Sequence, residues 1–108
     1  HAVRGGAARV LDFGKIKVHG DEHLLTVNCR QVSLTPMEAR LLWVLAERAG
    51  QVVPSAQLLS TVWGYPPGVR TRTLDVHIGR LRKKLEEDGR APRHIITVPR
   101  VGYKFQAE

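Results

Sequence analysis

The sequence predicts one α+β domain in which short antiparallel strands come first, three helices follow and a hairpin closes the chain. Three observations predict it. From Arg9 to Leu34 the apolar residues arrive in strand-length bursts, broken by Gly14, Gly20-Asp21 and Asn28. From Thr35 to about Glu87 they recur at helical spacing. Beyond Arg93 the strand-length pattern returns. With 108 residues, 43% hydrophobic and 25% charged, the chain is long and apolar enough for one folded core. Residues 1–8, with Gly5-Gly6, read as a flexible linker or tag remnant, and 9–108 as the domain.

The first part is expected to form a small sheet of three or four strands from residues 10–13, 15–18, 24–27 and 30–33. Thr35-Pro36-Met37-Glu38 then starts a helix. Thr35 can cap it, Pro36 has its φ preset for the first turn, and Glu38 can reach back to complete a capping box. Leu41, Leu42, Leu45 and Ala49 follow at helical spacing, and Gly50 sits where the helix should stop. A second short helix is expected from Ser55 to Val62, with Leu58, Leu59 and Val62 on one side and Gly64 at its end. Tyr65-Pro66-Pro67-Gly68 is a loop. The third helix is expected from Thr71, which can cap it, to Glu87. The strand 94–98, the turn Pro99-Arg100-Val101-Gly102 and the strand 103–105 make the hairpin.

Charge narrows the partners. The net charge is +7 and the sequence pI about 10.3. Residues 1–69 carry seven Lys/Arg against five Asp/Glu, whereas residues 70–104 carry ten against four, so the basic surface lies in the last third. Nucleic acid, an anionic membrane or an acidic protein would each suit that charge. No stretch is long enough to span a membrane and none reads as a signal peptide. Cys29 is the one cysteine, so no disulfide can form within the chain, which suits a reducing, cytoplasmic setting.

On a helical wheel Leu74, Ile78, Leu81 and Leu85 of the third helix share a narrow arc, the seam that should face the core. Opposite lie Arg72, Val76, Gly79 and Lys83, with Arg80 beside them. Thr73, His77 and Lys84 form one flank, Asp75 and Arg82 the other. Val76 and Gly79 stand in the middle of the outward face, where a merely solvated helix would prefer Glu, Gln or Lys. That pattern suits a DNA groove. Arg can bond guanine N7 and O6, Val can touch a thymine methyl, and glycine permits close approach. Glycine costs about 1 kcal/mol against alanine inside a helix, so it should have a reason to be there. The flanking Lys and Arg suit phosphates. A solvated basic face explains the charge of the helix equally well, and Glu86 and Glu87 are placed to pair with Arg82 or Lys83. A second helix, a turn and a reading helix followed by a hairpin bearing Arg100 and Lys104 favour DNA, because that order is a winged helix-turn-helix. A nonspecific nucleic-acid binder and a protein-docking winged helix are the other readings.

Four motifs in order carry a resemblance: Leu34-Thr35-Pro36-Met37-Glu38; Leu58-Leu59 with Val62-Trp63-Gly64; Arg72-Thr73-Leu74-Asp75-Val76-His77-Ile78 with Arg80-Leu81-Arg82-Lys83-Lys84-Leu85; and Ile96-Thr97-Val98 with Gly102-Tyr103-Lys104-Phe105. From about residue 9 onward the chain resembles the effector domain of OmpR/PhoB-type response regulators. The resemblance implies a four-stranded N-terminal sheet, a three-helix core and a hairpin wing. It also implies transcription control on tandem direct-repeat half-sites, with the domain monomeric alone and paired head to tail on DNA. An upstream receiver domain and its sensor kinase are implied partners, and no cofactor is. Arg72, Thr73, Val76, His77, Arg80, Arg82, Thr97 and the wing turn with Arg100 fall on positions the family uses for DNA. Arg70, Gly79, Lys83, Lys84 and Tyr103 are expected in the same set, Tyr103 by packing the wing onto the third helix. Gly64, Tyr65, Pro66, Pro67, Gly68 and Val69 match a loop that touches RNA polymerase in some members. Many relatives have a longer polar side chain in place of Gly79. Many have Arg-Gly where this chain has Pro99-Arg100, which displaces the wing arginine by one position. Pro54 takes the usual place of a capping Ser, so Ser55 is expected to cap one residue later.

Other features point to no chemistry. His1, His19, His23 and His94 have no metal-ligand spacing, and no nucleophile–base pattern or phosphate-cradling glycine loop is present. Trp43 and Trp63 are expected in the core.

Overall fold

The computed structural model describes residues 9–69, 71–85 and 94–106. Strands β1 (Val10–Asp12), β2 (Ile16–His19), β3 (Leu24–Val27) and β4 (Arg30–Ser33) form an antiparallel meander in that order. The β3–β4 connection is a two-residue turn with Asn28 at φ 51° and Cys29 at φ 70°, between the paired Val27 and Arg30. Two positive φ values make it the mirror-image turn whose twist matches a hairpin, and Asn tolerates that region well. One face of the sheet supplies Ile16, Val18, Leu25 and Val27 to the core.

Helix α1 (Pro36–Glu47) begins on the expected capping box. Glu38 N–H donates to Thr35 Oγ1 at 3.2 Å, and Thr35 N–H donates to Glu38 Oε1 at 3.0 Å. Its buried stripe ends at Ala46, one residue after Leu45; Ala49 lies past the helix end and is exposed. Gly50 adopts φ 85° and donates its N–H to the Phe105 carbonyl at 2.8 Å.

The middle of the chain differs from expectation. Val52–Pro54 is a strand, β5, paired with the last strand of the chain. Helix α2 (Ser55–Leu58) starts after Pro54 without a side-chain cap, so Ser55 is its first residue and not its cap. It runs into a π-helical turn, Leu59–Trp63, which Gly64 ends at φ 76°. Leu58, Leu59 and Val62 are buried as expected.

Helix α3 (Thr73–Leu85) starts two residues later than expected. The Arg72 carbonyl accepts the first helical bond, from Val76 N–H at 3.0 Å. Thr71 Oγ1 instead accepts from Thr73 N–H at 3.2 Å. Leu74, Ile78, Leu81 and Leu85 are all buried, which makes them the seam against the core. The expected end near Glu87, like Arg70 and residues 1–8, lies outside the described residues. The wing is β6 (Ile95–Val98) and β7 (Gly102–Phe105), and the second sheet runs β5-β7-β6. One continuous apolar cluster joins both sheets to the helices, with Phe13 and Phe105 rings 5.1 Å apart.

Candidate nucleic-acid interface

Each flank of α3 is tied to a neighbouring element. On the wing side Tyr103, 9% exposed, donates its hydroxyl to Asp75 Oδ1 at 2.7 Å. Burial, and then the Asp75 hydrogen bond and charge, push the Tyr103 phenol up to about 12 against the opposing pull of Arg82. It therefore stays protonated and a donor across ordinary pH. Arg82 spends its guanidinium in the same place. Nε and Nη2 donate to the Ile95 carbonyl at 3.1 and 2.9 Å, Nη2 also to Thr97 Oγ1 at 2.6 Å, and the group lies 5.8 Å from the Tyr103 ring centre. Tyr103 thus packs the wing onto α3 as expected.

On the other flank, His77 Nδ1 sits 2.9 Å from the Thr73 carbonyl. A carbonyl only accepts, so Nδ1 carries the proton. The ring meets Trp63 edge-on, with centres 5.0 Å apart and planes at 73°. Trp63 is partly buried against the core. Lys84, grouped on sequence grounds with phosphate-facing side chains, turns inward. Its Nζ donates to Glu38 Oε1 at 2.5 Å and to the Ser33 carbonyl at 3.0 Å. Glu38 is 1% exposed. Burial would raise its pKa, but the bonds from Lys84 and Thr35 and the charges of Lys84 and Arg80 outweigh that and hold the carboxyl below its ordinary value. A depressed carboxyl stabilises the fold above the ordinary carboxylate range, and that contribution is lost as pH falls through the depressed value.

What remains outward is the arc Arg72, Val76, Arg80 and Lys83, all exposed, with half-buried Gly79 among them. Val76 is 47% exposed, in the middle of a basic surface. A Cβ added to Gly79 would meet nothing within 4 Å among the described residues, so their packing does not require glycine there. Thr73 is half-buried, its Oγ1 2.9 Å from that of Thr71. The wing, held to α3 at Asp75 and Arg82, turns at Pro99-Arg100. Val101 N–H donates to the Val98 carbonyl at 3.0 Å around Pro99 and Arg100, and Arg100 has φ 67°. Proline followed by a positive φ is a type II turn, which places a non-glycine residue in a region costing about 1–2 kcal/mol. Arg100 and Thr97 are exposed.

The loop after the π-turn holds Gly64, exposed Pro66, Pro67 and Gly68, Tyr65 against the core, and Val69 at 39% exposure. Among the described residues no His/Cys/Asp/Glu group could hold a metal ion, and no helix is long and apolar enough to cross a membrane. Sequence reasoning found the outward arc, but not which flanking cations are spent inside the protein. Lys84 and Glu38 are 46 residues apart, and no local pattern joins them.

Residues 29–105 match the family described as "Transcriptional regulatory protein, C terminal". The sensory transduction protein RegX3 of Mycolicibacterium smegmatis is 39% identical over 97 residues, 90% of this chain and 42% of RegX3. The chain therefore spans about two fifths of that relative's length. The Klebsiella pneumoniae RstA DNA-binding domain, solved in complex with the RstA box, superposes with a TM-score of 0.83 at 31% identity, over 93% of this chain and 99% of that one. The response regulator DrrB, a Thermotoga maritima OmpR/PhoB homolog, gives 0.78 at 37% identity, over 90% of this chain and 44% of DrrB. The chain belongs to the family of transcriptional regulatory protein C-terminal domains, as a winged helix-turn-helix, DNA-binding effector domain of the OmpR/PhoB type.

Proposed function

We propose that α3 enters the major groove with its outward arc and that the wing tip reaches the adjacent groove or backbone. The observation that carries this reading is the composition of the outward face of α3, which no element among the described residues covers. It holds Arg72, Arg80 and Lys83 around an exposed valine and a glycine that the fold does not need. Arg80 is the base-reading residue, through paired bonds to guanine. Val76 contacts a thymine methyl, Gly79 allows close approach, and Arg72 and Lys83 serve phosphates. His77 and Thr73 lie at the edge of this footprint, with Arg70 close in sequence. Arg82, Tyr103 and Thr97 hold the wing against α3.

The domain acts on tandem direct-repeat half-sites, as a head-to-tail pair. It is the output end of a two-component regulator, whose phosphorylated receiver raises the effective concentration of two paired effector domains. The loop Gly64, Tyr65, Pro66, Pro67, Gly68 and Val69 is the surface offered to RNA polymerase, with Val69 its exposed apolar residue. Family membership and the RstA complex support the DNA part of this reading. Selection of bound duplexes from a random pool tests it. The expected result is one half-site motif repeated in the same orientation near one helical turn, about 10 bp. Enrichment of no motif sinks the reading, and a single isolated motif removes the tandem arrangement.

Arg100 has its own signature. Replacing it with glycine relieves the positive φ, so Arg100→Gly should leave the melting temperature of the free domain unchanged or slightly raised. It should nonetheless weaken DNA binding and lower the slope of log affinity against log salt by about 1, the mark of one lost phosphate neutralised. An unchanged slope takes Arg100 off the contact surface.

A further inference from the structure

We infer that Lys84 and Glu38 form a positioning pair that sets the rotation of α3 and thereby the specificity of DNA recognition, without touching DNA. The inference rests on the reading of the outward arc of α3 as the DNA-reading face. The apolar seam of α3 holds the helix on the core, but apolar contact is non-directional and tolerates small rotations. Directional contacts are needed to fix the angle. Among the described residues they sit on both flanks. On one side Arg82 and Tyr103 bond α3 to the wing. On the other, Lys84 reaches across to the start of α1 and the end of β4.

The Lys84 anchor is rigid for a reason seen in its partner. Glu38 is fully buried, and the same Oε1 that receives Lys84 also receives the Thr35 backbone N–H. The carboxylate is therefore held by the capping box, and it holds Lys84 in turn. A solvated lysine could swing; this one is bonded to a group that cannot. Rotation matters because an arginine tip stands far from the helix axis. With Cα atoms about 2.3 Å from the axis and a side chain reaching several Å more, a 10° rotation moves the guanidinium of Arg80 by about 1.5 Å. That exceeds the range over which a paired hydrogen bond to a base survives.

The test uses the intact chain and the duplex recovered by selection, beside a scrambled duplex of equal length. Lys84→Met, Glu38→Gln, their double variant and Lys84→Arg are titrated at several salt concentrations, at a temperature where circular dichroism shows each to be folded. Glu38→Gln keeps the acceptor for Thr35 N–H, so it carries the test if Lys84→Met does not fold. Each single change should weaken binding to the selected duplex about tenfold, the size of one weakened base contact. Binding to the scrambled duplex should change by less than about twofold and the salt slope should hold, because no phosphate contact is lost. The double variant should lose no more than the worse single one, as two halves of one interaction do. Lys84→Arg should recover most of the loss. The inference is overturned if Lys84→Met lowers the salt slope by about 1 and weakens both duplexes alike while Glu38→Gln binds as well as or better than wild type. That pattern makes Lys84 a phosphate contact. It is equally overturned if the wild type discriminates and no variant alters the discrimination. A wild type that cannot tell the two duplexes apart overturns the reading of α3 as well, and so separates the two failures.

Discussion

Gly102→Ala should cost the domain about 3 kcal/mol or more, lowering its melting temperature by roughly 12–24 °C. Gly102 opens β7 where that strand lies between β5 and β6. A Cβ there would collide with the Val53 carbonyl and come within 2.9 Å of Pro54 Cα and Ser55 N. All three are backbone atoms, so no side-chain rotamer can relieve the overlap. Relief would require β5 to separate from β7, and β5 leads directly into α2. The loss would also reach function, since the turn bearing Arg100 directly precedes β7. A thermal melt decides the matter. A variant melting within about 2 °C of wild type would mean that the β5–β7 approach is looser than described.

Gly79→Leu should do the opposite to the free domain. Leucine is a far better helix former than glycine, by close to 1 kcal/mol, and the space around a Cβ at this position is empty. The free domain should melt a few degrees higher. Affinity for the selected duplex should nevertheless fall by about 1–3 kcal/mol, roughly 5- to 150-fold, because the side chain fills the space through which the groove approaches. The opposed signs separate a binding role from a folding role. If Gly79→Leu stabilises the domain and leaves affinity intact, the glycine does not mark the contact face.

The parts of this fold that were legible in the sequence are those fixed by neighbours in the chain. The capping box needs only Thr35 and Glu38, three residues apart, and the buried seam of α3 needs only its own period. The wing turn is punctuated by Pro99. The parts that were not legible depend on residues far away. Strand β5 is three residues long and ends in proline, so nothing local marks it. It exists because Val53 pairs with Tyr103. The π-turn at Leu59–Trp63 carries no composition signal either. Thr71 illustrates a near miss, since it accepts the Thr73 N–H but stands one residue outside the helix that the Arg72 carbonyl begins. At the interface, the wheel picked out the outward arc because exposure follows from the seam opposite. It could not tell that Lys84 faces inward, because Glu38 and Ser33 reach the same point through a different part of the fold.

Arg80, exposed on the outward face of α3, should read a base. Titration of wild type and Arg80→Ala against the selected duplex and its single-base-pair variants, at one fixed salt concentration, tests it most directly. The account predicts that wild type prefers the selected duplex over each variant by about 1–3 kcal/mol per altered pair. Arg80→Ala should lose about 1–3 kcal/mol on the selected duplex and become indifferent at one base pair while keeping its preference at the others. An equal loss on every duplex, with all preferences intact, would make Arg80 a phosphate contact and contradict the account.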